Sequence, residues 1–204
     1  MSSKRAASSI DPYFLGAIFV GVGLGTVLLE QRVRLALLAV TLAALCLVYR
    51  AKSSVALDFS PAALGRGAFL GLVIALPLLA FLSEQLRLFT ERLYATRDVV
   101  QLFYQICFVS APLEECFFRG VLQKEKGLSV GITASAVAAL VYFVPHVPIV
   151  VTLITFVALG SLGIVYAYIF ERHGLTASIA CHVVVGFILQ VMPLIIEWAR
   201  MTLS

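Results

Sequence analysis

The chain has 204 residues, of which 61% are hydrophobic and only 13% are charged, and its mean hydropathy is +1.03. A soluble domain is about 45–50% apolar and about 25% charged, so a chain this short cannot bury its apolar surface within a water-soluble globule. The composition excludes a disordered chain and a disulfide scaffold. It also excludes a nucleic-acid binder, because basic cytoplasmic loops account for the net charge of +4. We therefore expect the lipid bilayer to be the solvent, and no nucleic acid among the partners.

Hydrophobic segments recur along the whole chain. Because a membrane-spanning helix needs about 20 mostly apolar residues, the sequence predicts an all-α, polytopic transmembrane helix bundle of about seven spans, with about six to eight as the range. Residues 1–204 form a single integral membrane domain in this interpretation. The predicted spans are 12–29, 33–49, 65–83, 99–122, 129–146, 148–170 and 174–196. Residues 84–98 alternate apolar and charged side chains, which predicts an interfacial amphipathic helix or a structured loop.

Lysine and arginine residues in the loops indicate the orientation. Cytoplasmic loops of membrane proteins carry an excess of these residues. If the N-terminus is inside, nine of them lie on the inner side, including Arg119, and six on the outer side, including Arg34. The sequence therefore favours a multi-pass protein of the cell membrane with a cytoplasmic N-terminus.

The fourth predicted span contains three ionisable residues, Glu114, Glu115 and Arg119, in an otherwise apolar stretch. Each costs about 2.5–3.5 kcal/mol at the bilayer centre, so we expect them to face the interior of the protein. Glu115 and Arg119 are four residues apart and share one helix face, where they can pair. Glu114 lies about 100° around the helix and is left for chemistry. A buried ion-pair network near the headgroups is the alternative interpretation.

Two histidines lie in later apolar segments. His146 follows Tyr142 by four residues, and His182 lies in the last predicted span. Intramembrane ionisable residues are functional candidates by default, and two histidines together with a Glu-Glu pair favour a catalytic site over separate structural roles. His173 stands in a charged turn before Gly174, so we expect it in a loop.

These residues resemble the motifs of the CPBP family of intramembrane proteases, which is named for CAAX processing and bacteriocin processing. The run from Glu114 and Glu115 to Arg119 resembles the EExxxR motif of that family. The run from Tyr142 to His146 resembles its FxxxH motif, with Tyr in place of Phe. The order of the motifs and their places on successive hydrophobic segments also match.

The third motif of the family is only partly present. The segment leading to His182 resembles it, but the family has Asn four residues after the histidine, and this chain has Gly186 there. No asparagine occurs anywhere in the sequence. The resemblance covers residues 65–190 approximately, and the first two predicted spans carry nothing diagnostic.

The resemblance implies an intramembrane endopeptidase in which Glu114 and His146 activate water and His182 stabilises the oxyanion. Glu115, Arg119, Tyr142 and Gly186 are the supporting positions. Loss of one oxyanion donor commonly lowers the rate about 10²–10³-fold, so Gly186 also favours an alternative: a non-catalytic membrane scaffold, regulator or bacteriocin-immunity protein. A proton-relay transporter is a third interpretation, but the internal repeats common in transporters are not visible.

The chemistry of these side chains agrees with a hydrolase that needs no cofactor. Peptide hydrolysis requires a base for water, a partner for the oxyanion and an acid for the leaving amine, and carboxylates and imidazoles can supply them. Zinc held by Glu114, His146 and His182 is the alternative, because they form an adequate set of ligands, although no HExxH motif is present. The expected partners are a peptide or protein substrate at the membrane and the lipid bilayer; the sequence indicates no oligomeric state.

Overall fold

The computed structural model describes residues 11–50, 59–143 and 149–203. Regular structure within these ranges is entirely helical, as the composition predicts. The helices are α1 (Pro12–Gly25), α2 (Gln31–Arg50), α3 (Pro61–Tyr94), α4 (Val99–Tyr104), α5 (Ala111–Phe117), α6 (Lys124–Lys126), α7 (Leu128–Phe143), α8 (Ile149–Gly186) and α9 (Met192–Leu203). The π-helical segments π1 (Gln105–Ser110), π2 (Phe118–Gln123) and π3 (Phe187–Val191) join neighbouring helices without a loop.

Within the described ranges, three helical stretches are long and apolar enough to cross a membrane: Gln31–Tyr49, Pro61–Tyr94 and Thr152–Thr202. Two shorter apolar helices, Pro12–Gly25 and Leu128–Tyr142, accompany them. Large apolar side chains on these helices are exposed, which suits contact with lipid tails and not with water. The chain is thus an integral membrane protein, and the number of about seven spans stays a prediction.

Helix starts follow from capping residues in the sequence. Asp11 precedes α1, and its carboxylate accepts a hydrogen bond from the Tyr13 amide, with Pro12 in the first turn. Ser60 caps α3 in the same way, ahead of Pro61. These caps satisfy amide groups that the helix itself leaves without partners.

The segment 84–98 is mostly a continuation of α3 and not a separate element. The backbone at Leu82 departs from helical angles, with φ −123° and ψ 15°, and the helix then resumes as far as Tyr94. The residues that follow, up to the cap of α4 at Asp98, form the connection. The amphipathic pattern therefore identified a helix, and the kink marks where its apolar part ends.

Gly174 interrupts α8 and divides it into two arms. Its φ of 83° and ψ of 176° belong to a region that glycine adopts at little cost. This break lies at the first residue of the last predicted span. The expectation that His173 lies in a loop is wrong, because the helix continues through His173 and breaks only at the glycine.

The second arm of α8 packs tightly on α3 because small residues face it. A Cβ atom on Gly67 would lie 2.1 Å from the Ala177 carbonyl oxygen, and one on Gly71 would lie 2.9 Å from the Cys181 carbonyl oxygen. Close backbone approach of this kind is characteristic of small residues between membrane helices. The contact fixes the helix that carries His182.

Arg34 is completely buried, so counting it as an outer loop charge was wrong. Its guanidinium donates to the backbone carbonyls of Gly23, Val141 and Tyr142. These carbonyls lie near the C-terminal ends of α1 and α7, where a helix leaves its last acceptors unsatisfied and favours a cation. A count of charges along the sequence cannot detect such a role.

Candidate active site

The two neighbouring glutamates lie on α5, a short α-helix between π1 and π2. Pro112 occupies its first turn, and Glu114 and Glu115 follow directly. Each π segment has a wider turn than an α-helix and therefore changes the direction in which the following side chains point. Isolated π turns occur frequently at functional sites, so this irregular helix is a suitable place for intramembrane carboxylates.

A cavity of about 160 Å³ lies beside these carboxylates, between α3, α5, α7, α8 and π3. Of the residues selected from the sequence, those in its wall are Glu114, Glu115, Arg119, Tyr142, His182 and Gly186. The seventh, His146, lies outside the described residues. Leucines and alanines complete much of the wall, so the polar groups face each other in apolar surroundings.

Glu115 is the more firmly held of the two carboxylates, and only 1% of the residue is exposed. Its Oε1 lies 2.9 Å from Nδ1 of His182, and the Ser178 hydroxyl donates to its Oε2. Arg119 Nε lies 3.6 Å from the same Oε2. Glu115 and Arg119 do approach each other, as their spacing suggests, but the closer contacts come from α8. Four side chains thus share one buried charge cluster.

Arg119 connects three elements of the fold. From π2 it donates to the Gly131 carbonyl at 2.9 Å and to the Gly163 carbonyl at 3.0 Å. It also reaches the Ser135 hydroxyl at 3.4 Å. A Cβ atom on Gly163 would lie 2.9 Å from Ser135 Oγ, so this position must stay small. Arg119 therefore holds π2, α7 and α8 together around the cavity.

His182 is fixed in orientation by two contacts. Its ring stacks on Tyr166, with centroids 4.4 Å apart and an interplanar angle of 18°, while Nδ1 faces Glu115. A hydrogen bond at one ring nitrogen determines what the other can do, so Nε2 is the nitrogen left for a ligand. Sequence reasoning missed Tyr166, because a tyrosine in an apolar helix gives no signal beyond a core residue.

Glu114 has different surroundings, since it is half-buried and its carboxylate is hydrogen-bonded by the Tyr142 hydroxyl. In the FxxxH motif that this segment resembles, Phe takes the position of Tyr142. A phenylalanine there could not form this hydrogen bond. The tyrosine hydroxyl thus connects α7 to the carboxylate that the sequence reserved for chemistry.

Tyr94 and Gln190 form a second polar contact in the cavity wall, which sequence reasoning also missed. The Tyr94 hydroxyl donates to Gln190 Oε1 at 2.8 Å. Gln190 could have been identified from the sequence, because it is a polar residue in the apolar last span, four residues after Gly186. Tyr94 could not be found this way, because it ends α3, far away in the sequence.

A metal site is not formed by the described residues. Within 11–50, 59–143 and 149–203, no three His, Cys, Asp or Glu side chains come close enough to hold a metal ion. His146 lies outside these ranges. Zinc bound by Glu114, His146 and His182 therefore stays an alternative prediction.

Fold and site together define an all-helical membrane protein with carboxylates and an imidazole at an internal cavity. Residues 96–188 match a family model described as Rce1-like, type II CAAX prenyl endopeptidase Rce1-like. The match confirms the resemblance of this segment to the CPBP and CAAX protease family. It includes α5, Tyr142, His182 and Gly186. No curated protein and no solved structure matches the chain.

Proposed function

We propose that the protein is an intramembrane endopeptidase that hydrolyses a peptide bond with water activated at Glu114. The observation that carries the proposal is the meeting of Glu114, Glu115 and His182 at one cavity, within a segment that matches a protease family. Ionisable groups inside a membrane domain are costly and usually functional.

Glu114 is the general base in this proposal. Its carboxylate has the Tyr142 hydroxyl as a neutral donor and keeps other lone pairs for a water molecule. The carboxylate takes a proton from water, and the hydroxide adds to the carbonyl carbon to give a tetrahedral intermediate. The C–N bond then breaks as the proton passes from Glu114 to the leaving amine. By family resemblance, His146 is the second group that positions this water.

Glu115 acts through His182. The carboxylate orients the imidazole through Nδ1, and Arg119 and Ser178 hold the carboxylate in turn. With Nδ1 bound to Glu115, Nε2 carries a proton only when the ring is an imidazolium cation. His182 therefore stabilises an oxyanion in that charged form.

The proposed substrate is a peptide or protein segment at the membrane. Because the family description names a CAAX prenyl endopeptidase, a prenylated CAAX peptide is the first substrate to test. The proposed reaction uses no cofactor.

The test uses purified protein in liposomes and an internally quenched, farnesylated CAAX peptide, with an unprenylated peptide library in parallel. Glu114→Gln should abolish cleavage because an amide cannot take a proton from water. Glu84→Gln is the matched control, since Glu84 is exposed on α3 and pairs with Arg87 away from the cavity. Equal cleavage by wild type and Glu114→Gln would overturn the assignment of the base.

A chelator distinguishes the metal-free mechanism from the zinc alternative. Without a metal, EDTA should leave cleavage unchanged. Loss of activity with EDTA, followed by recovery with added zinc, would instead favour coordination by Glu114, His146 and His182.

A non-catalytic role as a scaffold, regulator or immunity protein is the second candidate. Gly186 favours it, because a Cβ atom there would lie 2.7 Å from Ile106 Cγ2, so the site is packed for a glycine. No cleavage by the wild-type protein with either substrate set would favour this candidate.

We further propose that the N-terminus faces the cytoplasm. Removing the buried Arg119 and Arg34 from the loop count leaves eight basic residues inside and five outside, so the direction is unchanged. Labelling of Ser3→Cys with an impermeant maleimide tests this, and labelling in intact cells would contradict it.

A further inference from the structure

Several hydrogen-bond donors in and behind the cavity wall already serve acceptors within the protein, whereas the Tyr166 hydroxyl has no partner among the described residues. Arg119 donates to two backbone carbonyls, and the hydroxyls of Ser178 and Tyr142 donate to the two glutamates. His182 uses Nδ1 for Glu115, so Nε2 donates only in the protonated ring. A hydrolase of the proposed type nevertheless needs a donor aimed at the developing oxyanion.

Gln190 supplies a carboxamide to this wall from π3. Side chains on a helix lean toward its N-terminus, so Gln190 leans back over the preceding turn, which contains Gly186, in the direction of His182. Ile106 Cγ2 lies 2.7 Å from the place that a Cβ atom on Gly186 would take, so position 186 has little room for a carboxamide of its own. The carboxamide in the wall comes instead from one turn further along the helix, at Gln190.

Tyr94 fixes which end of the carboxamide is offered to a ligand. Its side chain is buried, and its hydroxyl donates to Gln190 Oε1 at 2.8 Å. Because the carbonyl end of the amide is occupied in this way, the NH₂ end, with its two N–H donors, is left for a ligand. Unlike His182, a neutral amide is a donor at any pH at which the protein is folded.

We propose that the Gln190 carboxamide binds the substrate carbonyl oxygen and stabilises the oxyanion, and that Tyr94 is the positioning residue that orients it. This inference rests on the proposed endopeptidase function. In this proposal, Gln190 supplies the side-chain hydrogen-bond donor that a glycine at position 186 lacks.

The experiment measures kcat and KM for the farnesylated, internally quenched CAAX peptide in liposomes. Gln190→Ala should lower kcat about 10²–10³-fold with little change in KM, because the donor acts mainly in the transition state. Tyr94→Phe should lower kcat about tenfold, since the amide is kept but one neutral hydrogen bond is lost. Gln101→Ala and Tyr104→Phe are the matched controls; both positions are exposed, and neither lines the cavity.

Two further variants separate a catalytic role from a structural one. Gln190→Glu keeps the shape but places an acceptor at the oxyanion. Because acid also protonates Glu114 and His182 in the same cavity, its kcat is compared with that of the wild type at each pH. This ratio should be low at pH 7 and rise in acid, where a protonated carboxyl donates. In the Gln190→Ala background, Gly186→Asn combined with Ile106→Ala should restore turnover by supplying a carboxamide from the preceding turn. The Ile106 change removes the atom that would contact the new Cβ atom.

The results distinguish this inference from the function on which it rests. Wild-type kcat in Gln190→Ala, with Glu114→Gln inactive, would overturn the role of Gln190 and leave the endopeptidase proposal standing. The role of Gln190 would also be overturned if Gln190→Glu lowered kcat equally at every pH and the carboxamide introduced by Gly186→Asn restored no turnover. If Gln190→Ala does not fold, the near-isosteric Gln190→Glu decides through its pH profile. Absence of cleavage by the wild type would overturn both proposals.

Discussion

The two carboxylates of α5 are adjacent in sequence but have contrasting surroundings. On one side, Glu115 contacts Arg119, Ser178 and His182 and is almost fully enclosed. On the other side, Glu114 is half-buried and is hydrogen-bonded by Tyr142. A buried charge with several partners is held in place, whereas a carboxylate with fewer partners keeps lone pairs free for water. The difference separates a residue that organises the site from one that can react.

The sharpest test of this contrast replaces each glutamate by alanine. Glu114→Ala should lower the rate of cleavage about 10²–10⁴-fold, the range attributed to a general base, and leave the thermal stability nearly unchanged. Glu115→Ala should instead lower stability, because it leaves Arg119 as a buried cation without a carboxylate. Parallel assays of peptide cleavage and thermal unfolding in detergent measure both effects. Loss of stability in Glu114→Ala with full specific activity would reverse the assignment.

Arg119 offers the next largest effect. Arg119→Ala should destabilise the protein by about 3–5 kcal/mol, because it removes one partner of a buried ion pair and leaves Glu115 charged. It also removes donors from the Gly131 and Gly163 carbonyls. The measurement is the yield of monodisperse protein and its unfolding temperature in detergent.

Arg119→Lys is the companion variant. It keeps the charge but loses the planar fork that reaches two carbonyls, so we expect an intermediate stability. If Arg119→Ala folds normally and loses only turnover, Arg119 belongs with the reacting groups and not with the organising ones.

Much of the fold, and the pairing of Glu115 with Arg119, followed from the sequence because lipid imposes simple rules. The all-helical architecture and the break at Gly174 follow from hydropathy and from glycine chemistry. The closeness of Glu115 and Arg119 follows from helical spacing. These are local properties, and each is determined by a few consecutive residues.

The remaining features depend on contacts between distant segments, which no window along the chain contains. Ser178 and His182 reach Glu115 from 63 and 67 residues away. Burial of Arg34 depends on carbonyls at the ends of two other helices. The π segments on both sides of α5 reflect packing as well as local preference, so the spacing of the glutamates alone could not define their environments.

Gly186 tests the packing of the cavity wall against Ile106 of π1. Gly186→Asn alone should lower stability by about 1–3 kcal/mol, because its Cβ atom would lie 2.7 Å from Ile106 Cγ2 and the core must repack. Adding Ile106→Ala should recover part of this loss by removing that contact. Thermal unfolding of the single and double variants measures the effect. Full stability of Gly186→Asn would show that the wall adapts easily, and packing would then not explain the glycine.

Tyr142→Phe is the smallest and most specific change that tests the contrast between the two carboxylates. It removes one oxygen atom and restores the aromatic residue of the family motif, while the ring can keep its edge contact with Phe19. The hydroxyl donates to Glu114, so the variant loses one hydrogen bond. Such a bond contributes about 0.5–1.5 kcal/mol, or somewhat more when the acceptor is charged. If that bond orients the base, kcat should fall by about tenfold while the unfolding temperature changes little. An unchanged kcat together with a lower unfolding temperature would mean that the hydroxyl stabilises α7 against α5 and does not position the base.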